Sequence, residues 1–107
     1  MRMLSPIGFP TSPSTATLRG WSIIEVDDDD GHRVQLLVGM LTDSRLRVTT
    51  QIEELEGWQV RTRSGSTYTL DGPPATAEQL EEQRTRRDAL LAGRDAVDVT
   101  KYVIRQF

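Results

Sequence analysis

Acidic side chains concentrate in one short stretch of the sequence, residues 25–35, which reads EVDDDDGHRVQ. Gly31 and the only histidine of the chain, His32, directly follow the last aspartate. Carboxylate and imidazole groups can bind divalent cations or transfer protons, and closely spaced carboxylates can also imitate the charge of a phosphate backbone. The acidic residues are Glu25, Asp27, Asp28, Asp29 and Asp30.

The spacing of these residues excludes an EF-hand and does not indicate a catalytic pair. An EF-hand loop needs oxygen ligands at its first and twelfth positions and glycine at its sixth. With Gly31 as the sixth residue, Val26 is the first and Leu37 the twelfth, so both ligand positions are apolar. General acid–base catalysis needs two carboxylates in different environments, whereas adjacent acids in a solvated loop share one. We predict no bound metal, no cofactor, no catalytic residue and no enzymatic activity.

Two interpretations of the acidic stretch remain. A hairpin tip with this charge density would be attracted to a basic groove or an arginine cluster on a partner, as a phosphate backbone is. The same charges would also keep a hairpin soluble and protect its end from pairing with other strands. If the tip binds a partner, we expect the contacts to come from Glu25, Asp27, Asp28, Asp29 and Asp30.

Arginine side chains form a second candidate surface. On one face of a β-sheet, they would provide a basic platform for single-stranded nucleic acid. The chain has 13 basic and 16 acidic residues, and its net charge of −3 argues against a general nucleic-acid-binding protein. Nucleic-acid binding is therefore the alternative to protein binding, and a small anionic nucleotide-type ligand in a pocket shared by an oligomer is a third hypothesis. The arginines of this face are Arg45, Arg47, Arg61 and Arg63.

A run of eight polar residues, 81–88, lies in the middle of a predicted helix. Spacings of four residues favour ion pairs of Glu82 with Arg86 and of Arg84 with Asp88. Such a face is usually solvated, but it can also contact a partner protein. The residues that we expect to contribute are Glu81, Glu82, Arg84, Arg86 and Arg87.

The hydrophobic pattern around the acidic stretch predicts a β-hairpin over residues 18–40. Asp30-Gly31 is a strong signal for a two-residue turn. That turn predicts the cross-strand pairs Ile23–Val38, Trp21–Met40 and Ile24–Leu37.

A second hairpin is predicted over residues 58–72, after a strand that alternates between an apolar face and a wet face. A three-residue loop, 63–65, with Gly65 in the left-handed conformation, pairs Val60 with Tyr68 and Trp58 with Leu70. Trp21, Trp58 and Tyr68 then belong to the core. The alternating strand places Leu46, Val48, Thr50 and Ile52 on its apolar face and Arg45, Arg47, Thr49 and Gln51 on its wet face.

These elements predict an α+β fold. We expect about five strands in a twisted antiparallel sheet or a small SH3-like barrel, followed by one helix. Thr76 and Gln79 form a capping box that begins the helix, which we place at about residues 76–92. Residues 1–17 contain three prolines and predict an irregular arm, while residues 18–107 form a single domain that ends in a C-terminal docking segment.

Length and composition are typical of one small domain. The chain has 107 residues and no cysteine, so disulfides and thiolate metal sites are excluded. The sequence shows no signal peptide and no apolar run long enough to span a membrane. We therefore expect a soluble protein of the cytoplasm.

The stretch RVTTQIEELEGWQVRTRSGSTYTLDG, residues 47–72, resembles small uncharacterised proteins encoded by phages and mobile elements of proteobacteria. The likeness lies in a Thr-x-Ser-Gly-Ser-x-Tyr-x-Leu run from Thr62 to Leu70, and the upstream LRGWSI is similar to how such proteins begin. The long proline-containing start and the acidic tip depart from that pattern. The resemblance implies a bacterial host cell and a partner that is a host protein or ribonucleoprotein complex. Inhibition of a defence complex, as by an anti-CRISPR protein, is the function it suggests.

Overall fold

The computed structural model describes residues 15–104. Most of the predicted N-terminal arm and the last residues of the docking segment, 105–107, lie outside this range. The final part of that arm, residues 15–17, is not irregular, because it belongs to strand β1, Thr15–Asp27, and Thr15 pairs with Thr67. Backbone hydrogen bonds to a neighbouring strand thus extend the sheet into a stretch whose sequence shows no alternation.

Five strands close into a barrel, because the first strand pairs with both the second, β2 (Arg33–Met40), and the fifth, β5 (Thr67–Asp71). All neighbouring strands of a closed barrel can be antiparallel only if the number of strands is even. A five-stranded barrel must therefore contain a parallel pair. That pair is β1 with β5, the first and last strands of the barrel, which no short loop joins. The predicted α+β class with a twisted, β-rich sheet is confirmed, but the sheet is mixed rather than antiparallel. The strands are β1 Thr15–Asp27, β2 Arg33–Met40, β3 Leu46–Glu56, β4 Gln59–Thr62 and β5 Thr67–Asp71.

Strand β1 bends at Gly20 and pairs with different strands before and after the bend. Gly20 has φ = 53°, and the register between β1 and β2 shifts between Arg19 and Ser22. Residues 15–19 pair with β5, whereas farther along the strand Ile24 pairs with Asp98 of a short sixth strand, β6, Val97–Asp98. Glycine adopts this positive φ without steric cost, so the bend needs no compensating strain.

Apolar side chains on both faces of the sheet are buried. One cluster fills the barrel, and the other lies on its outer face under the end of the helix. The interior cluster consists of Leu18, Trp21, Ile23, Leu37, Leu41, Val60, Tyr68, Leu70 and Val103. The outer cluster consists of Ile24, Val26, Leu36, Val38, Val48 and Leu91.

Strand β3 changes the face that it buries partway along its length. Val48 belongs to the outer cluster, whereas Ile52 packs against the interior cluster. Regular alternation would put both residues on one face. The register of β3 with β2 shifts between Leu36 and Val38, and such a bulge turns the following side chains to the opposite face.

The same bulge buries Thr49, which the alternating pattern places on the wet face. Thr49 Oγ1 accepts a hydrogen bond from the Leu37 N–H (3.0 Å) and donates to the Thr50 carbonyl (2.7 Å). The Thr49 hydroxyl thus accepts the hydrogen bond of the Leu37 N–H, which has no regular backbone partner on β3 at the bulge. The prediction for Thr49 is wrong because a buried side chain replaces a backbone partner here.

The loop of the first hairpin is longer than predicted. The Asp28 N–H donates to the His32 carbonyl (2.7 Å), and the Gly31 N–H donates to the Asp28 carbonyl (3.1 Å), so three residues form the loop. Gly31 has φ = 81°, as the last residue of such a bulged loop requires. Ile23 lies opposite Leu37. The predicted pairs Ile23–Val38 and Ile24–Leu37 are therefore wrong by one position. The predicted pair Trp21–Met40 is also wrong, because the register shifts between Arg19 and Ser22 and Met40 lies opposite Arg19.

The loop of the second hairpin agrees with the prediction. The Thr62 N–H donates to the Ser66 carbonyl and the Gly65 N–H donates to the Thr62 carbonyl, both at 2.9 Å. Gly65 has φ = 88°. Val60 lies opposite Tyr68, which confirms the three-residue loop.

Trp58 is not part of the core. Its carbonyl accepts the Leu70 N–H (2.7 Å), so the predicted pairing is correct. Strand β4 begins only at Gln59, however, which leaves Trp58 in the turn beyond the end of the strand. Trp21 and Tyr68 are fully buried, whereas Trp58 is 62% exposed.

Two helices follow the barrel. Helix α1, Ala77–Leu90, has Thr76 as its N-cap, and the capping box with Gln79 is present. The predicted C-terminal segment contains β6 and a short helix α2, Thr100–Ile104, and it docks on β1. Thr100 Oγ1 accepts the Ile23 N–H at 2.9 Å in the buried interface.

Candidate binding surfaces

The acidic loop, residues 28–32, is held by its own side chains. Asp28 Oδ1 accepts the backbone N–H groups of His32 and Asp30, each at 2.9 Å. The His32 N–H bond is the main reason why the pKa of Asp28 lies below its ordinary value, and the nearby charge of Arg63 is a smaller cause. Asp28 thus stabilises the three-residue loop, which explains why the loop exceeds the two residues that Asp30-Gly31 predicts.

Arginines from outside the loop offset part of its charge. Arg33 of β2 pairs with Glu25 (Nε–Oε1, 3.1 Å) and with Asp27 (Nη1–Oδ1, 3.2 Å). Arg94, just after helix α1, pairs with Asp29. Within residues 15–104, the five acidic residues that were predicted as contacts thus form ion pairs with only two arginines, and the acidic region keeps an excess of negative charge.

Asp29, Asp30 and His32 are exposed at the loop tip. Within residues 15–104, the Asp30 carboxylate has no ion pair, and His32 Nδ1 lies 3.8 Å from Asp28 Oδ2. Ligand atoms of Asp28, Asp30 and His32 lie within 4.8 Å of one another, a spacing that a divalent cation could bridge. Asp28 already accepts two backbone hydrogen bonds, so the main role of its carboxylate is to stabilise the loop.

The four predicted nucleic-acid-binding arginines do not share one environment. Arg45 pairs with Asp43 (2.7 Å), and Arg61 pairs with Glu53 (3.4 Å) and more weakly with Glu54. Arg47 is half-buried and donates to the Tyr68 hydroxyl (3.2 Å), while Arg63 reaches Gln51 Oε1 (3.5 Å). Carboxylates beside two of the four arginines would repel phosphate, so this surface is poorly suited to nucleic acid.

The polar face of α1 forms ion pairs other than those predicted. Arg84 pairs with Glu81 (3.2 Å) and Arg87 with Asp88 (3.0 Å), whereas Glu82 and Arg86 do not pair with each other. All of these residues lie on the helix that was predicted to carry them.

The start of helix α1 and the acidic loop form separate surfaces, whereas Arg94, just after the helix, contacts Asp29. Gln83, in the middle of α1, is buried, and its Nε2 donates to the Gly20 carbonyl (3.1 Å). Gly20 lies eight positions along the chain from Asp28. The structure therefore does not bring Glu81 and Glu82 together with the acidic loop.

Sequence reasoning missed two residues that matter for these surfaces. Arg94 contacts Asp29 across 65 positions of sequence, and no local pattern predicts such a contact. Trp58 had a usable signal in the sequence, because the glycine immediately before it, Gly57, favours a tight turn, and Gly57 has φ = 58° in the structure. A residue in that turn is exposed unless another element covers it.

In residues 15–104, no helix combines the length and apolar character needed to cross a bilayer. A scan against protein-family models and searches of curated proteins and of solved structures found no match.

Proposed function

We propose that this chain is a non-enzymatic binding protein whose acidic loop occupies a basic surface on a partner protein or ribonucleoprotein. The observation that carries this proposal is the charge at the loop tip. Asp30 is exposed there without an ion pair in the described chain, beside a loop that Asp28 holds in place. A preformed anionic tip loses little conformational entropy on binding and attracts a basic partner from a distance.

The narrower proposal is that the partner is a host defence complex, which the protein inhibits in the bacterial cytoplasm. Its support is the resemblance of residues 47–72 to proteins of phages and mobile elements. An inhibitor of this kind needs no chemistry of its own. It needs only to cover the surface on which the complex binds nucleic acid.

A charge variant tests the acidic loop. Asp28 should stay unchanged because it supports the loop, so the variant replaces Asp27, Asp29 and Asp30 with asparagine. Three exposed acids elsewhere, Glu53, Glu54 and Asp95, replaced with their amides, give a control with the same change in net charge.

The measurement is a pull-down with each tagged protein from a lysate that contains phage-defence complexes, with mass spectrometry and a nucleic-acid stain of the eluate. We expect the wild type and the control variant to recover the same complex and the loop variant to lose it. Equal recovery by all three proteins would rule out the loop. Nucleic acid that is recovered alone and disappears at high salt would support the arginine face instead.

A further inference from the structure

A groove of about 370 Å³ lies between one side of helix α1 and the barrel, where β1 bends at Gly20. Gln83 lines the groove and is only 5% exposed. Its Nε2 donates to the Gly20 carbonyl (3.1 Å), which fixes the helix to the strand, while its buried Oε1 accepts no hydrogen bond from residues 15–104. A buried acceptor without a partner is unfavourable, so a donor from a bound molecule would be stabilising here. Charged side chains of both signs also line the groove: Arg19, Arg86, Asp71 and Glu82.

Arg19 is held by neutral acceptors. Its Nη1 donates to the Leu41 carbonyl (3.0 Å) and its Nη2 to Ser44 Oγ (3.3 Å). Ser44 has φ = 68°, whereas two other hairpin loops with the same pair of backbone hydrogen bonds have glycine at this position, Gly31 and Gly65. A left-handed residue with a side chain is strained, and such strain is often found at functional sites. The serine hydroxyl thus positions the Arg19 guanidinium, which keeps its charge because no carboxylate pairs with it in the described residues.

The other three charged side chains of the groove are exposed, and within residues 15–104 none of them forms an ion pair. Glu82 and Arg86 are four positions apart on α1, a spacing that favours an ion pair, yet they do not pair with each other. The groove therefore offers two guanidinium groups and two carboxylates that do not neutralise one another. A molecule with one charge of each sign is complementary to this set, whereas a simple anion would be repelled by the carboxylates and a simple cation by the guanidinium groups.

We propose that this groove binds a free α-amino acid. Arg19 and Arg86 bind its carboxylate, and Asp71 and Glu82 bind its ammonium group. The volume of the groove is at the lower end of the range of small-molecule sites, which suits a ligand of this size. This inference goes beyond the proposed function and does not depend on the acidic loop.

The test is a titration of the full chain, labelled with ¹⁵N, with each of the common amino acids in turn at millimolar concentration. The Gly20 backbone amide and the Gln83 side-chain amide are the reporters. We expect at least one amino acid to shift both signals saturably, and its N-acetyl derivative and its methyl ester, which each lack one charge, to shift them much less. The absence of a response to every amino acid would overturn the proposal. An equal response to either derivative would do so too, because recognition would then not require both charges.

Charge variants measure the contributions of the groove residues. Arg86→Gln and Glu82→Gln should each weaken binding about two- to fivefold, as expected for exposed ion pairs. Arg61→Gln and Glu54→Gln make the same changes in charge at exposed positions that do not line the groove, and both should bind like the wild type. If the two groove variants also bound like the wild type, the charges of the groove would have no role.

Ser44→Gly separates positioning from stability. Glycine relieves the left-handed strain, so the Tm should not fall, while binding should weaken because Arg19 loses an acceptor. Unchanged binding by Ser44→Gly would contradict the role of Ser44. The variant with asparagine at Asp27, Asp29 and Asp30 should bind the amino acid like the wild type, so the groove and the acidic loop are tested independently.

Discussion

Two hairpin loops of this protein have the same backbone and different side chains. The acidic loop, 28–32, and the hydroxyl loop, 62–66, are each closed by an N–H from the first residue to the carbonyl of the fifth. In each, the glycine at the fourth position has a positive φ and donates to the first carbonyl. The difference between the loops therefore lies in their side chains alone.

The hydroxyl loop is held from inside the protein. Thr62 and Ser66 are fully buried, and Ser64 Oγ lies within 3.3 Å of the hydroxyl oxygens of both and of Thr50. The acidic loop is held by charges at the surface. One geometry thus serves two purposes: neutral hydrogen bonds fasten the hydroxyl loop to the barrel, while the acidic loop keeps charged groups available to a partner.

The largest effect is expected for Thr62→Val in the hydroxyl loop. The change removes a buried hydroxyl with several partners and should cost about 1–3 kcal/mol of unfolding free energy. Urea unfolding at low and high salt measures it, and the loss should be the same at both, because the hydrogen bonds are neutral. Asp30→Asn is the counterpart in the acidic loop and should change stability by less than about 0.5 kcal/mol. A larger loss from Asp30→Asn would show that the acidic tip is structural.

Alanine at the two glycines tests whether the loops share their backbone. Gly31→Ala and Gly65→Ala both force a Cβ into the left-handed region and should each cost about 1 kcal/mol. Nothing lies within 4 Å of a Cβ at Gly31, so its cost comes from the backbone conformation alone. Thermal unfolding of the two variants under the same conditions makes the comparison. If Gly31→Ala were neutral, the acidic loop would not have the conformation described.

Asp28 in the acidic loop should contribute to the pH dependence of stability, as should Asp43, whose pKa is lowered mainly by a hydrogen bond from the Arg45 N–H. The folded-state pKa of Asp28 is lowered, chiefly by the His32 N–H, so its charge stabilises the folded state above the ordinary pKa of 3.8 and this contribution is lost as the pH falls through the folded-state value. Asn keeps an acceptor oxygen but no charge. The difference in Tm between wild type and Asp28→Asn should therefore be largest above about pH 5 and shrink on acidification. A difference that does not change with pH would contradict this assignment.

The fold was largely predictable because its signals are local. Alternation and glycine positions indicate the hairpins, and Thr76 with Gln79 indicates the start of α1. Errors appear where a side chain takes over a backbone partner. Thr49 is buried by a bulge and Asp28 lengthens a loop, and neither effect follows from periodicity.

The candidate surfaces were predictable only in part. The acidic residues of the loop do lie together, because they are adjacent in sequence. The four arginines do not share one environment, because bulges interrupt the alternation of β3 and two of the arginines pair with carboxylates of their own. Trp58 was assigned to the core because the alternation of side chains along the hairpin places it on the same face as Tyr68. Alternation does not show where a strand ends, and Trp58 lies just beyond the end of β4.

The sequence by itself determined the β-rich class, the helix start and the site of highest charge density, because these depend on composition and short-range spacing. The tertiary structure decided the parallel pairing of β1 with β5, the burial of Thr49, the Arg94–Asp29 ion pair and the exposure of Trp58. Barrel closure brings together residues that are far apart in the chain. Which charges are neutralised and which aromatic ring stays exposed is settled only by that closure.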